Sequence, residues 1–193
     1  MTLENTNFTG HLLIAMPNLT DPYFAKSVTF ICAHNQEGAM GIVINRPTDM
    51  TYGILFEKIS LSLQNQSLSS RAVLYGGPVQ PERGFVLHQQ VGEWDSSITI
   101  VDDIAVTTSK DILNAVAEGS GPEKLLVSLG YAGWTAGQLE QEIAQNAWLS
   151  VKPKDQATLC KLLFETAHED QLNAAMALLG FDPSMLSDVA GHA

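Results

Sequence analysis

Residues 27–34 (SVTFICAH) and 39–45 (AMGIVIN) are two apolar, β-branched runs joined by the short polar loop 35–38 (NQEG). Two such runs around a loop that ends in glycine predict a β-hairpin. Gly41 inside the second run predicts a bulge or a close approach of another backbone. Pro47 has no backbone N–H to donate, so we expect it to end the second strand.

In the rest of the chain, the sequence pattern predicts further strands followed by helices. Apolar or β-branched runs predict strands at 11–16, 72–75, 84–88, 97–101, 104–107, 124–131 and 148–151. Helix-spaced apolar residues and capping signals predict helices at 52–59, from a cap at Thr108 or Ser109 to Gly119, and at 137–145, 155–164 and 169–179, with Gly180 as the last cap. Strands early and helices late favour an α+β fold with a mixed sheet over a repeating βαβ fold.

Composition limits the class of protein. The chain has 193 residues, of which 45% are hydrophobic and 16% charged, which is typical of one globular domain with a full core. Its 10 basic and 21 acidic residues give a net charge of −11. A field of that sign repels phosphate backbones, so it argues against direct DNA binding.

The sequence predicts a protein of the reducing cytoplasm, with neither a metal nor a cofactor. No Lys or Arg precedes Lys26, and no apolar run approaches the roughly 20 residues of a membrane helix. Cys32 and Cys160 lie in apolar contexts far apart in the chain, as buried cysteines do. The five histidines show no metal-binding spacing.

Several polar or glycine-rich segments follow predicted strands, and pockets often form where such ends meet. The predicted ligand-binding residues are Asn45, Arg46, Gly76, Gly77, His88 and Trp134. Consecutive glycines can turn their amides toward an anion, and a guanidinium can bind one. The alternative is a set of tight turns with Arg46 paired to Asp21 or Asp49, and with His34 and His88 each capping a strand or bonding to backbone. We therefore expect a non-enzymatic module that binds a small anionic ligand or a protein partner, in an oligomeric state that the sequence leaves open.

A hydrolase is the alternative function. It would use His88 or His34 as general base and Ser128 or Ser109 as nucleophile, with the imidazole within about 3 Å of the hydroxyl. The segment around Ser128 fails as a nucleophile elbow because Leu126 occupies the first glycine position.

Long motifs of this sequence, in order, resemble the YqgE/AlgH family. They are 11–17 (HLLIAMP) with 21–24 (DPYF), 38–47 (GAMGIVINRP), 76–79 (GGPV), 84–88 (GFVLH), 108–111 (TSKD), and 130–134 (GYAGW) with 137–140 (GQLE). The resemblance covers about residues 10–150, and the closing AGHA at 190–193 resembles the alginate-associated branch of the family.

The resemblance implies an α+β fold in which a bulged, mixed sheet curls into a pseudo-barrel with helices packed outside. The corresponding domain plan is a flexible N-terminus at 1–9, a single domain at 10–186 and a flexible tail at 187–193. The resemblance also brings the label of a transcriptional regulator in alginate production, and it supplies no catalytic residues. Cys32 stands where relatives often have an aliphatic residue, which argues against thiol chemistry common to the family.

Overall fold

The predicted hairpin is formed by β2 (Val28–Asn35) and β3 (Gly38–Val43), and the computed structural model describes residues 6–180 of the chain. The ladder runs antiparallel from Thr29↔Val43 to Asn35↔Gly38, with a register shift between Ile31 and Ala33. Gly41 lies opposite this bulge, where a Cβ atom would stand 2.8 Å from the Thr29 methyl group and 3.0 Å from a backbone oxygen. The glycine therefore permits the close contact between the two strands.

The described residues form ten strands and five α-helices. The other strands are β1 (Leu12–Ala15), β4 (Pro47–Thr51), β5 (Ala72–Tyr75), β6 (Val79–Gln89), β7 (Ser97–Val101), β8 (Ile104–Thr107), β9 (Leu125–Thr135) and β10 (Trp148–Val151). The helices are α1 (Tyr52–Lys58), α2 (Lys110–Ala117), α3 (Gln138–Ala144), α4 (Gln156–Cys160), which continues as a π-helix (Lys161–Glu165), and α5 (Gln171–Ala177), with a 3₁₀ turn at Gln66–Leu68.

All strands belong to one curled sheet, in the order β10-β1-β2-β3-β9-β6-β8-β7, with β5 also paired to β9 and β4 paired to β5. The β5–β9 pairing is parallel and the other pairings are antiparallel, so the α+β class and the mixed, bulged half-barrel are confirmed. Strand alternation separates two faces. On the inner face, side chains from most of the strands, β10 included, form one cluster together with side chains from α4, the π-helix and α5. On the outer face, α1 and α2 cover one cluster and α3 covers another.

Some elements differ from the sequence prediction. β6 and β9 extend well beyond the predicted 84–88 and 124–131, because bulged segments continue the pairing. Pro47 begins a new strand, β4. Most of its residues are polar and partly exposed, so it lacks the apolar run that predicts a strand. Phe8 falls in the N-terminus expected to be flexible, yet its ring is buried against His11 and His34. Residues 181–193, which include the predicted tail, lie outside the described residues.

Gly76 and Gly77 connect β5 to its neighbours by direct backbone contact. The Gly76 amide donates to Leu129 O at 2.8 Å, and Gly76 O accepts from the Val43 amide at 2.9 Å. A Cβ on Gly76 would overlap the carbonyl oxygen of Gly130, and one on Gly77, where φ is +153°, would overlap the backbone of Tyr131. These positions have no room for a side chain.

We expect Gly77→Ala to lower the free energy of unfolding by about 2–4 kcal/mol, since it combines a strained φ with a backbone clash. Gly84→Ala is the matched control on β6, where a Cβ meets nothing within 4 Å. It should change stability by about 0.5 kcal/mol or less. Urea unfolding followed by circular dichroism measures both, and equal losses would contradict the assignment.

Candidate functional site

Two adjoining cavities open on the inner face, with volumes of about 370 and 470 Å³. They share Met40 and Tyr131, so they form one continuous surface, which we call the inner groove. The first cavity also has Phe85 and Val106 in its lining and Arg83 and Asp95 at its polar side. The second includes Ala33, Glu37, Gly133 and Trp134. An apolar lining with a few polar groups is typical of ligand sites of this size.

A bulge in β6 brings Arg83 to the first cavity. Val79 pairs with Tyr131 and Gly84 pairs with Leu129, so five steps along β6 oppose two steps along β9. The extra residues leave the ladder, and bulges commonly redirect side chains in this way. Gln80 has φ +48°, a left-handed backbone that fits the bulge.

The Arg83 guanidinium is held by neutral groups. It donates to Gln80 Oε1 at 3.3 Å and to Thr108 Oγ1 at 3.1 Å, and it lies 5.7 Å from the centre of the Phe85 ring. Within residues 6–180 the ion pairs are His34–Glu140 and Lys124–Glu165, so Arg83 has no carboxylate partner in this part of the chain. Among the described residues of this acidic protein, Arg83 is thus an arginine without a salt bridge beside an apolar cavity.

Asn45 and Arg46 bind the backbone of the preceding loop. Asn45 Oδ1 accepts from the Val28 amide at 2.8 Å, and Nδ2 donates to Lys26 O at 3.0 Å. The Arg46 guanidinium donates to Pro22 O at 2.8 Å and to Ala25 O at 2.7 Å. Its partners are therefore carbonyl groups rather than the carboxylates of Asp21 or Asp49 that the turn alternative expected.

The structure brings Asn45, Arg46, Gly76 and Gly77 to one corner, where the Tyr75 amide donates to Arg46 O at 2.8 Å. The Gly76 amide is bonded to Leu129, so it does not point toward an open cavity. None of these four residues lines either cavity of the inner groove. Ligand binding at this corner stays a prediction.

His88 lies elsewhere. It pairs with Leu125 on β9, whereas Gly76 bonds to Leu129, a separation of about 13 Å along the strand at 3.3–3.4 Å per residue. Phe85 and Leu87 belong to the inner cluster and Val86 to the outer one, so alternation places His88 on the outer face, away from the groove.

The His88 ring organises the loop after β6. Nδ1 lies 3.1 Å from Gln90 O, which can only accept, so Nδ1 carries the proton. Nε2 then accepts from Thr107 Oγ1 at 2.8 Å, and Thr107 is linked to Ser97 Oγ at 2.9 Å. Burial lowers the pKa of His88, which keeps the ring neutral, and Trp94 packs edge-on at 4.9 Å.

The four residues of the predicted hydrolase do not form a nucleophile–base pair. His34 Nδ1 accepts from the Phe8 amide at 3.0 Å, and its Nε2 lies 3.0 Å from Glu140 Oε1. Ser109 donates to Asp111 at the start of α2, and this hydrogen bond lowers the pKa of Asp111. Ser128 is fully buried without a hydrogen-bond partner among the described residues. Neither histidine bonds to either serine.

Trp134 is the predicted site residue that contributes to the lining of the second cavity, but its indole packs in the outer-face cluster under α3 and donates its N–H to Glu142 at 2.8 Å. The sequence reasoning missed Met40, Arg83, Phe85 and Tyr131. The available signal for Arg83 was the polar run 80–83 (QPER) between two glycine-containing motifs, which the bulge now explains.

Other chemistry receives little support from the described residues. Burial raises the pKa of the Cys32 thiol to about 12, so it is not a thiolate nucleophile near neutral pH. Within residues 6–180, no group of three or more His, Cys, Asp or Glu residues is placed to hold a metal ion. The same part of the chain contains no helix with the length and hydropathy to cross a membrane.

Fold and groove define a bulged α+β half-barrel with an open cavity on its inner face. The family model described as AlgH-like matches residues 12–184, and the chain belongs to this family. It is 52% identical to a UPF0301 protein of Chromobacterium violaceum over 99% of this chain and 100% of that one.

Two solved structures share the fold. One is the solution structure of the AlgH protein from Pseudomonas aeruginosa, with 45% identity, a TM-score of 0.77, and coverage of 98% of this chain and 97% of that chain. The other is a crystal structure of a Corynebacterium diphtheriae protein, with 21% identity, a TM-score of 0.58 and coverage of 78% of each chain. The second shows the fold alone.

The lowered pKa of His88 predicts a pH dependence of stability. The ordinary value is 6.5, and the unfolded chain takes up a proton near that pH while the native ring stays neutral. The unfolded state then binds more protons, so His88 contributes stability that is complete above pH 6.5 and is lost as pH falls through its folded pKa.

We expect unfolding free energies measured between pH 7.5 and 5.5 to decline with falling pH, and His88→Gln to flatten that decline. Burial also lowers the pKa of His11, so His11→Gln should flatten the decline by the part that His11 itself contributes, and this variant is compared with His88→Gln. A His88→Gln profile parallel to that of the parent would contradict the assignment.

Proposed function

We propose that this protein is a non-enzymatic binding module whose inner groove takes an anionic, partly apolar group of a small molecule or a protein partner. The observation that carries the proposal is Arg83, which has no carboxylate partner within residues 6–180 and lies beside the apolar cavity lined by Met40, Phe85 and Tyr131.

Physical chemistry favours an anion with an apolar body at this position. A guanidinium forms strong, directional hydrogen bonds with carboxylate or phosphate, and packing on an aromatic ring keeps its plane in place. The apolar lining gains free energy when a ligand removes it from water. Asp95 lines the same polar side of the cavity as Arg83, so a ligand that carries a second negative group is disfavoured there.

A binding role also fits the arrangement of the polar groups. His88, His34 and Asp111 are held by hydrogen bonds to the protein itself, which supports structural roles for them. A regulatory role through a protein partner agrees with the net charge of −11, whereas that charge disfavours direct contact with DNA phosphates.

The test is thermal unfolding with phenylacetate, hexanoate, inorganic phosphate and, as the uncharged counterpart, phenylacetamide. At ten times its Kd, a ligand that binds only the native state adds about 1.4 kcal/mol, or a rise in Tm of about 3–6 °C. We expect the carboxylates with apolar bodies to raise the Tm and phenylacetamide to have little effect.

Arg83→Ala should lose this response, because the variant keeps the cavity and removes the cation. Lys154→Ala is the matched control, since it removes one exposed positive charge that lines neither cavity. An equal rise in Tm for the parent and Arg83→Ala, or no rise with any of the probes, would refute the proposal.

A further inference from the structure

We propose that the inner groove and the free edge of β7, which is the edge not paired with β8, together bind the C-terminal end of a partner polypeptide. The partner adds to β7 as an antiparallel strand, places its last side chain in the first cavity and presents its terminal carboxylate to Arg83. This inference rests on the proposed function and names the kind of partner.

β7 offers an open edge for strand addition. It is the last strand of the sheet order and pairs with β8 alone among the described strands. Its ladder with β8 is regular from Ser97 to Thr99 and shifts before Val101. Ile98 is 56% exposed, the highest value among the large hydrophobic residues that are exposed in the described part of the chain. An edge strand presents unpaired N–H and C=O groups, which an extended peptide can satisfy.

The direction of the added strand follows from where the cavity lies. The first cavity is lined by Asp95, Ser96, Ser97 and Ile98, so it opens at the N-terminal end of β7. A strand added antiparallel to β7 ends at this point with its carboxylate, whereas a parallel one begins there with its amine. Arg83 attracts the carboxylate and repels the amine, so its charge selects the antiparallel arrangement.

The cavity also selects the last residue of the partner. Its volume of about 370 Å³ and its lining by Met40, Phe85, Val106 and Tyr131 suit a large apolar side chain. Asp95 on the same lining disfavours an acidic one. The predicted partner therefore ends in an apolar residue with a free carboxylate, preceded by a segment able to form a strand.

The experiment uses two fluorescein-labelled peptides of sequence Gly-Ser-Thr-Thr-Val-Thr-Val-Leu, one with a free C-terminus and one amidated. Fluorescence anisotropy gives their affinities for the parent, Arg83→Ala and Lys154→Ala. We expect the parent to bind the free peptide at least about tenfold more tightly than the amide, since a charge-assisted hydrogen bond is lost in the amide. Arg83→Ala should abolish this difference and Lys154→Ala should keep it.

Hydrogen exchange with the full chain tests strand addition directly. Saturation with the free peptide should slow exchange of amides in Ser97–Val101, and β10, the strand at the opposite end of the sheet order, is the internal control. Equal affinity for the two peptides, or protection at β10 instead of β7, would overturn the inference. If small carboxylates still raise the Tm through Arg83 in that case, the proposed function stands and only the peptide partner fails.

A second copy of this chain is the competing occupant of the β7 edge. Protection of β7 that increases with protein concentration in the absence of peptide, together with a dimer in sedimentation velocity, would also overturn the inference. A monomer whose β7 is protected only by the free peptide supports it.

Discussion

The fold depends on the backbone contact made by Gly76 at the point where β3 and β9 separate. Their direct ladder runs from Gly38↔Thr135 to Gly41↔Ala132 and goes no further. Gly76 then accepts from Val43 on one side and donates to Leu129 on the other, so one residue of the β5 terminus continues the sheet across the gap. Only a residue without a side chain fits, because Gly130 O lies where a Cβ would be. The same insertion lies at the end of the parallel ladder between β5 and β9.

Curling gives the two faces different chemistry. The two buried histidines of the outer face are linked to other groups: His88 through Thr107 to Ser97, and His34 between Phe8 and Glu140. Buried polar groups need such partners because their desolvation is costly when they remain unpaired. The inner groove has an apolar surface and the Arg83 guanidinium, which forms no salt bridge within residues 6–180, and this difference between the faces supports the proposed binding role of the groove.

The sequence predicts the elements well and the site less well, for a physical reason. Strands at Ala72–Tyr75, Ser97–Val101, Ile104–Thr107 and Trp148–Val151 match their predicted bounds, because local apolar runs and turn residues determine them. Arg83 could not be predicted as a site residue because its position depends on a bulge in the pairing of β6 with β9. The bulge lies between the partners of Tyr131 and Leu129, which are distant from Arg83 in sequence. Arg46 carries an equally visible charge, yet carbonyl groups of a neighbouring loop engage it, and sequence patterns do not reveal such partners.

His88 shows that a shift of one residue along a strand decides whether a side chain faces the inner groove or the outer face. A histidine at the end of an apolar strand can equally face a cavity or a layer of helices, and the residue type does not decide between them. The pairing of Val86 with Thr107 and of His88 with Ala105 fixes its side on the outer face, next to the loop that carries Trp94. That loop leads directly into Asp95, Ser96 and Ser97, which line the first cavity. The neutral imidazole therefore acts on the groove indirectly, by holding through Gln90 and Trp94 the segment that forms one of its walls.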